Sequence, residues 1–188
     1  MSASPEEPAR YGMVHGRFQP FHLGHLEYTL KALARCETLI VGITNPDPTQ
    51  TADEETSEHR HREDSNPFTF FERQLMIRAV LDDEGVAAER VVFIPFPVNL
   101  PGRWRYYVPS EAVQFIRVFS AWEQTKVDRL REAGYCVVVL DPAAAKEFEA
   151  TDVRRLIVDG GAWQELVPPG VARVIEQRGL DRALAGDG

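Results

Sequence analysis

A short apolar segment, 11–15, runs straight into Gly16-Arg17-Phe18-Gln19-Pro20-Phe21-His22-Leu23-Gly24-His25, and the chain then turns helical. This strand–loop–helix unit limits the fold more than any other stretch. His22 and His25 stand three residues apart, so on a helix they share a face. Both imidazoles then flank the helix N-terminus, whose unpaired N–H groups and dipole favour anions. A triphosphate suits such a place. Taken alone, the spacing also fits two surface histidines. It is only half of a zinc site, which needs three or four ligands. The other histidines, His15, His59 and His61, supply no partner motif.

Apolar runs and helical patterns alternate along the rest of the chain. The spacing predicts a helix over 24–36, with Leu26, Leu30 and Leu33 on one face. The run 38–44, Thr-Leu-Ile-Val-Gly-Ile-Thr, reads as a buried parallel strand. A capping box, Thr69-Phe70-Phe71-Glu72, opens a helix over 69–84 whose expected core face is Phe71, Leu75 and Ala79. Further strands are expected at 91–97, 115–120 and 135–140, and further helices at 123–132, 151–158 and 171–178. The polar stretch 46–66 reads as a functional lid or a disordered loop. The alternation predicts an α/β fold: a Rossmann-like, doubly wound, mostly parallel five-stranded sheet with flanking helices. Ligands of such sheets bind beyond the carboxyl ends of the strands. One domain is expected over 11–180, between a flexible tail at 1–10 and a C-terminal tail at 181–188. The first residues are acidic and Pro-rich, unlike a signal peptide.

A chain of 188 residues, 44% of them apolar, can bury a sizeable single core. No apolar run reaches the length of a membrane span. Cys36 and Cys136 lack metal-binding spacing and read as buried thiols of a cytoplasmic protein. The net charge of −8 argues against a surface that coats nucleic acid. It is compatible with a nucleotide substrate, because Arg17, Arg73, Arg154 and Arg155 can build a local positive pocket.

His22-Leu23-Gly24-His25 resembles the signature of the HxGH nucleotidyltransferase superfamily. The longer string around it resembles the archaeal-type nicotinamide mononucleotide adenylyltransferases. Three other segments extend that resemblance: Asn66-Pro67-Phe68-Thr69 with Glu72-Arg73, the helix start at 149–155, and Ala162-Trp163 to Val167-Pro168. It implies transfer of a nucleotidyl group, from ATP to the small phosphorylated acceptor nicotinamide mononucleotide, with release of pyrophosphate. That is a step of NAD biosynthesis. Magnesium (Mg2+) would be held through the phosphates and not by protein ligands. The resemblance implies catalytic roles for His22, His25, Arg17 and Arg154. It puts Gly16, Phe18, Gly24, Phe119, Ser120, Thr151 and Arg154 at the nucleotide, and Phe68, Thr69, Arg73, Trp104 and Trp122 at the acceptor. Thr151 is expected to cap the late helix.

The chain departs from the pattern in two places. Glu149 stands where the phosphate-binding motif has Ser, and a carboxylate repels phosphate. Ser120-Ala121-Trp122 replaces a Ser-Gly-Asn element. These changes keep a second reading open, a cytidylyltransferase or other relative that uses CTP or ATP to activate a different phosphate or phosphonate. A third reading is a non-catalytic nucleotide sensor, against which the intact histidine pair argues. No nucleic-acid or membrane partner is expected, and a homo-oligomer is left open.

Overall fold

The computed structural model describes residues 7–47, 66–140 and 149–186. Most of the 46–66 stretch, including His59 and His61, lies outside the described residues.

Strands β1 (Ala9–Gly16), β2 (Cys36–Thr44), β3 (Val91–Phe96), β4 (Val113–Ile116) and β5 (Val137–Val139) form one sheet in the order β3-β2-β1-β4-β5. Every neighbouring pair is parallel. The winding reverses at β1, which pairs with both β2 and β4. The carboxyl ends of β1 and β4 therefore frame the switch-point crevice, where doubly wound sheets take their ligands.

Both faces of the sheet are covered, which is why its central strands read as continuous apolar runs. Successive residues alternate between two cores. Val14, Leu39, Val41 and Ile43 face helices α1 (Leu23–Leu33), α2 (Phe70–Asp83) and α5 (Pro169–Gln177), meeting Leu33, Ile77 and Val171. Met13 and Ile40 face the other way, toward Val127 and Leu130 of α3 (Ala121–Glu132) and toward Trp104. Helices α4 (Ala150–Val158) and α6 (Leu180–Ala185) complete the described α-helices.

Several boundaries differ from the sequence reading. β1 begins at Ala9, inside the expected tail, because Ala9 N–H donates to Arg35 and the strand pairs from Ala9 onward. α6 occupies the expected C-terminal tail, with Leu180 and Leu184 packed against the core. β4 ends at Ile116 instead of continuing to 120, since Arg117 is drawn toward α1 and Ser120 caps α3. The buried side of α2 is Arg73, Met76, Ile77, Val80 and Leu81, while Phe71 is 57% exposed. The four-residue repeat beginning at Phe71 thus marked the wrong face. Cys36 is buried as expected, but Cys136 is exposed.

Candidate active site

The signature loop is organised around His25. The His22 backbone N–H donates to His25 Nδ1 at 3.3 Å. In a neutral ring the proton then resides on Nε2, leaving that nitrogen as a donor. The two imidazoles stack with centroids 3.7 Å apart and planes 25° from parallel. Phe18 meets the His25 ring edge-on at 4.9 Å, and Phe21 lies 5.6 Å from it. To reach this position Phe18 takes φ +54, a left-handed conformation that costs a side-chain-bearing residue about 1–2 kcal/mol. Such strain persists where the surroundings over-determine it.

The glycines of the motif have steric reasons. A Cβ on Gly24 would lie 3.1 Å from His22 Cε1, and one on Gly16 would lie 2.9 Å from the Phe18 ring. A side chain at Gly24 would push on His22, and one at Gly16 would push on Phe18, whose ring meets His25. Gly16, Phe18 and Gly24, expected at the nucleotide, thus set the histidine geometry.

Two arginines hold the loop from beneath. Arg154 is 9% exposed and donates to the Gln19 carbonyl at 2.6 Å and to Thr151 Oγ1 at 3.2 Å. Arg73 was expected to place the acceptor. Instead it is 1% exposed and donates to the carbonyls of Thr69, Arg17, Thr44 and Asn45 at 2.7–3.2 Å. It ties the ends of β1 and β2 to the first turn of α2. Burial, with the nearby Arg17 charge, draws its pKa down to about 10, so it stays charged at neutral pH.

Phe68 is also core, 2% exposed, and its main chain is gripped by the Gln19 amide. Gln19 Nε2 donates to Phe68 O at 2.8 Å, and Phe68 N–H donates to Gln19 Oε1 at 3.0 Å. Gln19 follows Phe18 and precedes a cis proline. Thr69 caps α2 as read from the sequence, exchanging bonds of 3.2 and 2.8 Å with Glu72.

Trp104, expected to stack on the acceptor, is 2% exposed. It packs between Phe96 and Tyr135, and its indole N–H donates to Pro97 O at 2.9 Å. It is a core residue in this arrangement. Phe119 is 41% exposed. Ser120 caps α3, with its hydroxyl donating to Glu123 Oε2 at 2.5 Å. The side chain of Trp122 lies outside what is described. α4 is capped by Glu149 and not by Thr151. Glu149 N–H donates to Asp152 Oδ2 at 2.8 Å, and Thr151 sits within the first turn.

Sequence reasoning missed Arg117. Its guanidinium donates to Gly24 O at 3.0 Å and pairs with Glu27 at 2.6 Å, so it braces the first turn of α1 against the end of β4. Glu27 also meets Lys31 at 2.8 Å. Hydrogen bonding from Lys31, with Arg117 adding to it, holds the Glu27 carboxyl below its usual pKa. The available signal was a cation in the otherwise apolar run Phe115-Ile116-Arg117-Val118.

A family model described as cytidylyltransferase-like matches residues 13–168. The chain belongs to that family. Its members share the HxGH nucleotidyltransferase pattern, and the coarse activity, nucleotidyl transfer, follows from membership. A phosphonoformate cytidylyltransferase of Streptomyces viridochromogenes is 45% identical over 96% of this chain and 98% of that one. A nicotinamide-nucleotide adenylyltransferase of Saccharolobus solfataricus is 35% identical over 91% of this chain and 93% of its own. In fold, the chain matches a bifunctional NMN adenylyltransferase/ADP ribose pyrophosphatase of Francisella tularensis with TM-score 0.64 at 19% identity, covering 95% of this chain and 52% of that one.

Among the described residues no three His, Cys, Asp or Glu side chains converge into a metal site. No helix among them is long and apolar enough to cross a membrane.

Proposed function

We propose that this nucleotidyltransferase moves the cytidylyl group of CTP onto an oxygen of a small phosphonate or phosphate and releases pyrophosphate. The observation that carries this reading is the end-to-end 45% identity to a phosphonoformate cytidylyltransferase, against 35% to an adenylyltransferase. The buried Trp104 supports it, because the ring that the adenylyltransferase resemblance puts at the acceptor offers no open face. The reading with ATP and nicotinamide mononucleotide takes second place, kept by the relatives that carry that name.

An acceptor oxygen is already anionic, so no covalent enzyme intermediate is needed. Catalysis is then positioning plus stabilisation of charge on the phosphates. His25 Nε2 donates to a phosphate oxygen of the triphosphate, and His22 stands beside it in the stack. The first N–H groups of α1 add their dipole. Arg17 and Arg154 supply positive charge near the leaving pyrophosphate. Magnesium bound to the nucleotide phosphates would neutralise part of their charge.

Pyrophosphate release tests the reading, with CTP and ATP each paired with phosphonoformate and with nicotinamide mononucleotide. CTP with phosphonoformate is expected to turn over fastest. Dinucleotide formation from ATP and nicotinamide mononucleotide at a higher kcat/KM overturns it.

A further inference from the structure

His15 plays no part in the chemistry above, yet its setting is unusual. It is the residue before Gly16 at the carboxyl end of β1, the central strand. Strand alternation puts it on the face of Met13, toward α3 and away from α1. Its ring is tilted against Phe96 at 5.2 Å, and Phe96 lies 5.7 Å from Trp104. The residue is 8% exposed, and its Nδ1 is sealed without a hydrogen-bond partner. The neighbouring inward positions, Met13 and Val14, are apolar. An apolar residue at 15 would avoid the cost of an unpaired buried nitrogen, so an imidazole here calls for an explanation.

Burial, with the Lys126 charge on α3 adding to it, holds the ring neutral and its pKa down to about 3. A neutral imidazole carries one N–H. With no acceptor beside Nδ1, that proton belongs on Nε2. His15 is then a single N–H donor at the strand end where ligands of doubly wound sheets bind. Lys126 adds positive potential from the same side.

We propose that His15 is a specificity-determining residue that recognises the acceptor's distal anionic group, the one remote from the attacking oxygen, with the Lys126 charge behind it. This rests on the reading of a small phosphonate or phosphate acceptor. A Met or Val at 15 would have no polar group with which to tell a doubly acidic acceptor from a singly acidic one. A site built to pair a polar group rejects the partner that lacks it.

Two probes separate the cases. Phosphonoformate carries a carboxylate beside its phosphonate, and methylphosphonate does not. With CTP and Mg2+, His15→Leu is expected to lose about tenfold or more in kcat/KM for phosphonoformate, while methylphosphonate and the KM for CTP stay within about twofold. His15→Gln, which keeps an N–H donor, recovers part of the loss. Equal losses on both acceptors, or an unchanged preference in folded His15→Leu, overturn the assignment. A readout independent of turnover is the His15 ring signal in NMR, identified by its absence from His15→Leu. It should move when phosphonoformate is added to wild-type protein and stay put with methylphosphonate. If the protein makes product only from ATP and nicotinamide mononucleotide, the functional reading fails by itself. The NMR experiment still decides His15, because an unmoved signal with phosphonoformate overturns its role.

Discussion

Replacing Gly24 with alanine tests whether the spacing of the two imidazoles, and not merely their presence, drives the reaction. The new Cβ would stand 3.1 Å from His22 Cε1 and 3.2 Å from Nδ1. Carbon atoms in ordinary contact sit about 3.5–4.0 Å apart, so the His22 ring has to yield by a few tenths of an ångström. It is 8% exposed and stacked on His25, which leaves little room for a harmless shift. His25 is disturbed too, because its Nδ1 takes the His22 N–H. A displacement of this order at a charge-stabilising pair costs about 10- to 100-fold in kcat. Stability moves the opposite way. Gly24 is the second residue of α1, and alanine favours a helix over glycine by up to about 1 kcal/mol. The expected phenotype is a sharp loss of kcat in a protein whose Tm is unchanged or slightly raised. Pyrophosphate-release kinetics and a thermal melt on one preparation measure both. Wild-type kcat in folded Gly24→Ala refutes the reasoning, and a lowered Tm accompanying the lost activity reassigns Gly24 to folding.

His25→Ala should lower kcat by about a hundredfold or more with folding preserved, as when one preorganised donor is lost; near-normal turnover in the folded variant sinks the role. Arg73→Lys keeps the charge but loses the planar fork that serves four carbonyls, so a urea melt should show about 2 kcal/mol or more of destabilisation. An unchanged melt would mean the carbonyls find other donors. The depressed His15 pKa makes a pH prediction: the unfolded chain takes up that proton near 6.5 and the folded one near 3, so stability falls as pH drops through that window. The His15 contribution is constant above about pH 7 and changes by at most about 1.4 kcal/mol per pH unit below it. Urea melts at pH 7 and 5 should therefore show a smaller acid-side loss in His15→Leu than in wild type, and equal losses defeat the claim.

The alternation of apolar runs made the parallel sheet legible, and the switch point followed from it. Local signals that involve few residues also read well, as the Thr69–Glu72 capping box shows. Boundaries set by long-range contacts did not. β4 stops where Arg117 reaches α1, and nothing within 113–120 announces that partner 93 residues away. The face of α2 failed because its first turn places Phe71 outward, beneath the Arg178 guanidinium, while a cation, Arg73, takes the inside. Hydrophobic periodicity cannot anticipate a buried arginine, since three of the four carbonyls that satisfy it belong to other segments. Glu149 was read as an obstacle to phosphate, and its additional place as the N-cap of α4 appears only in three dimensions.

The arginines show what a charge pattern can and cannot reveal. The sequence suggested that Arg73 and Arg154 lie near the phosphate site, and both do reach the signature loop. Each nevertheless spends donors on main-chain oxygens: Arg154 on Gln19, and Arg73 on Arg17, Thr44 and Asn45. That does not remove them from the electrostatics. A carbonyl satisfies a guanidinium's hydrogen bonds without cancelling its charge. Buried beneath the loop, that charge is poorly screened by water and contributes to the field over the crevice. The same two cations fix the backbone that holds His22 and His25, and on the proposed reading their charge also favours a triphosphate above it. Direct phosphate contact and long-range attraction are separable in such a site. Substituting lysine for either arginine keeps the second while damaging the geometry that supports the first.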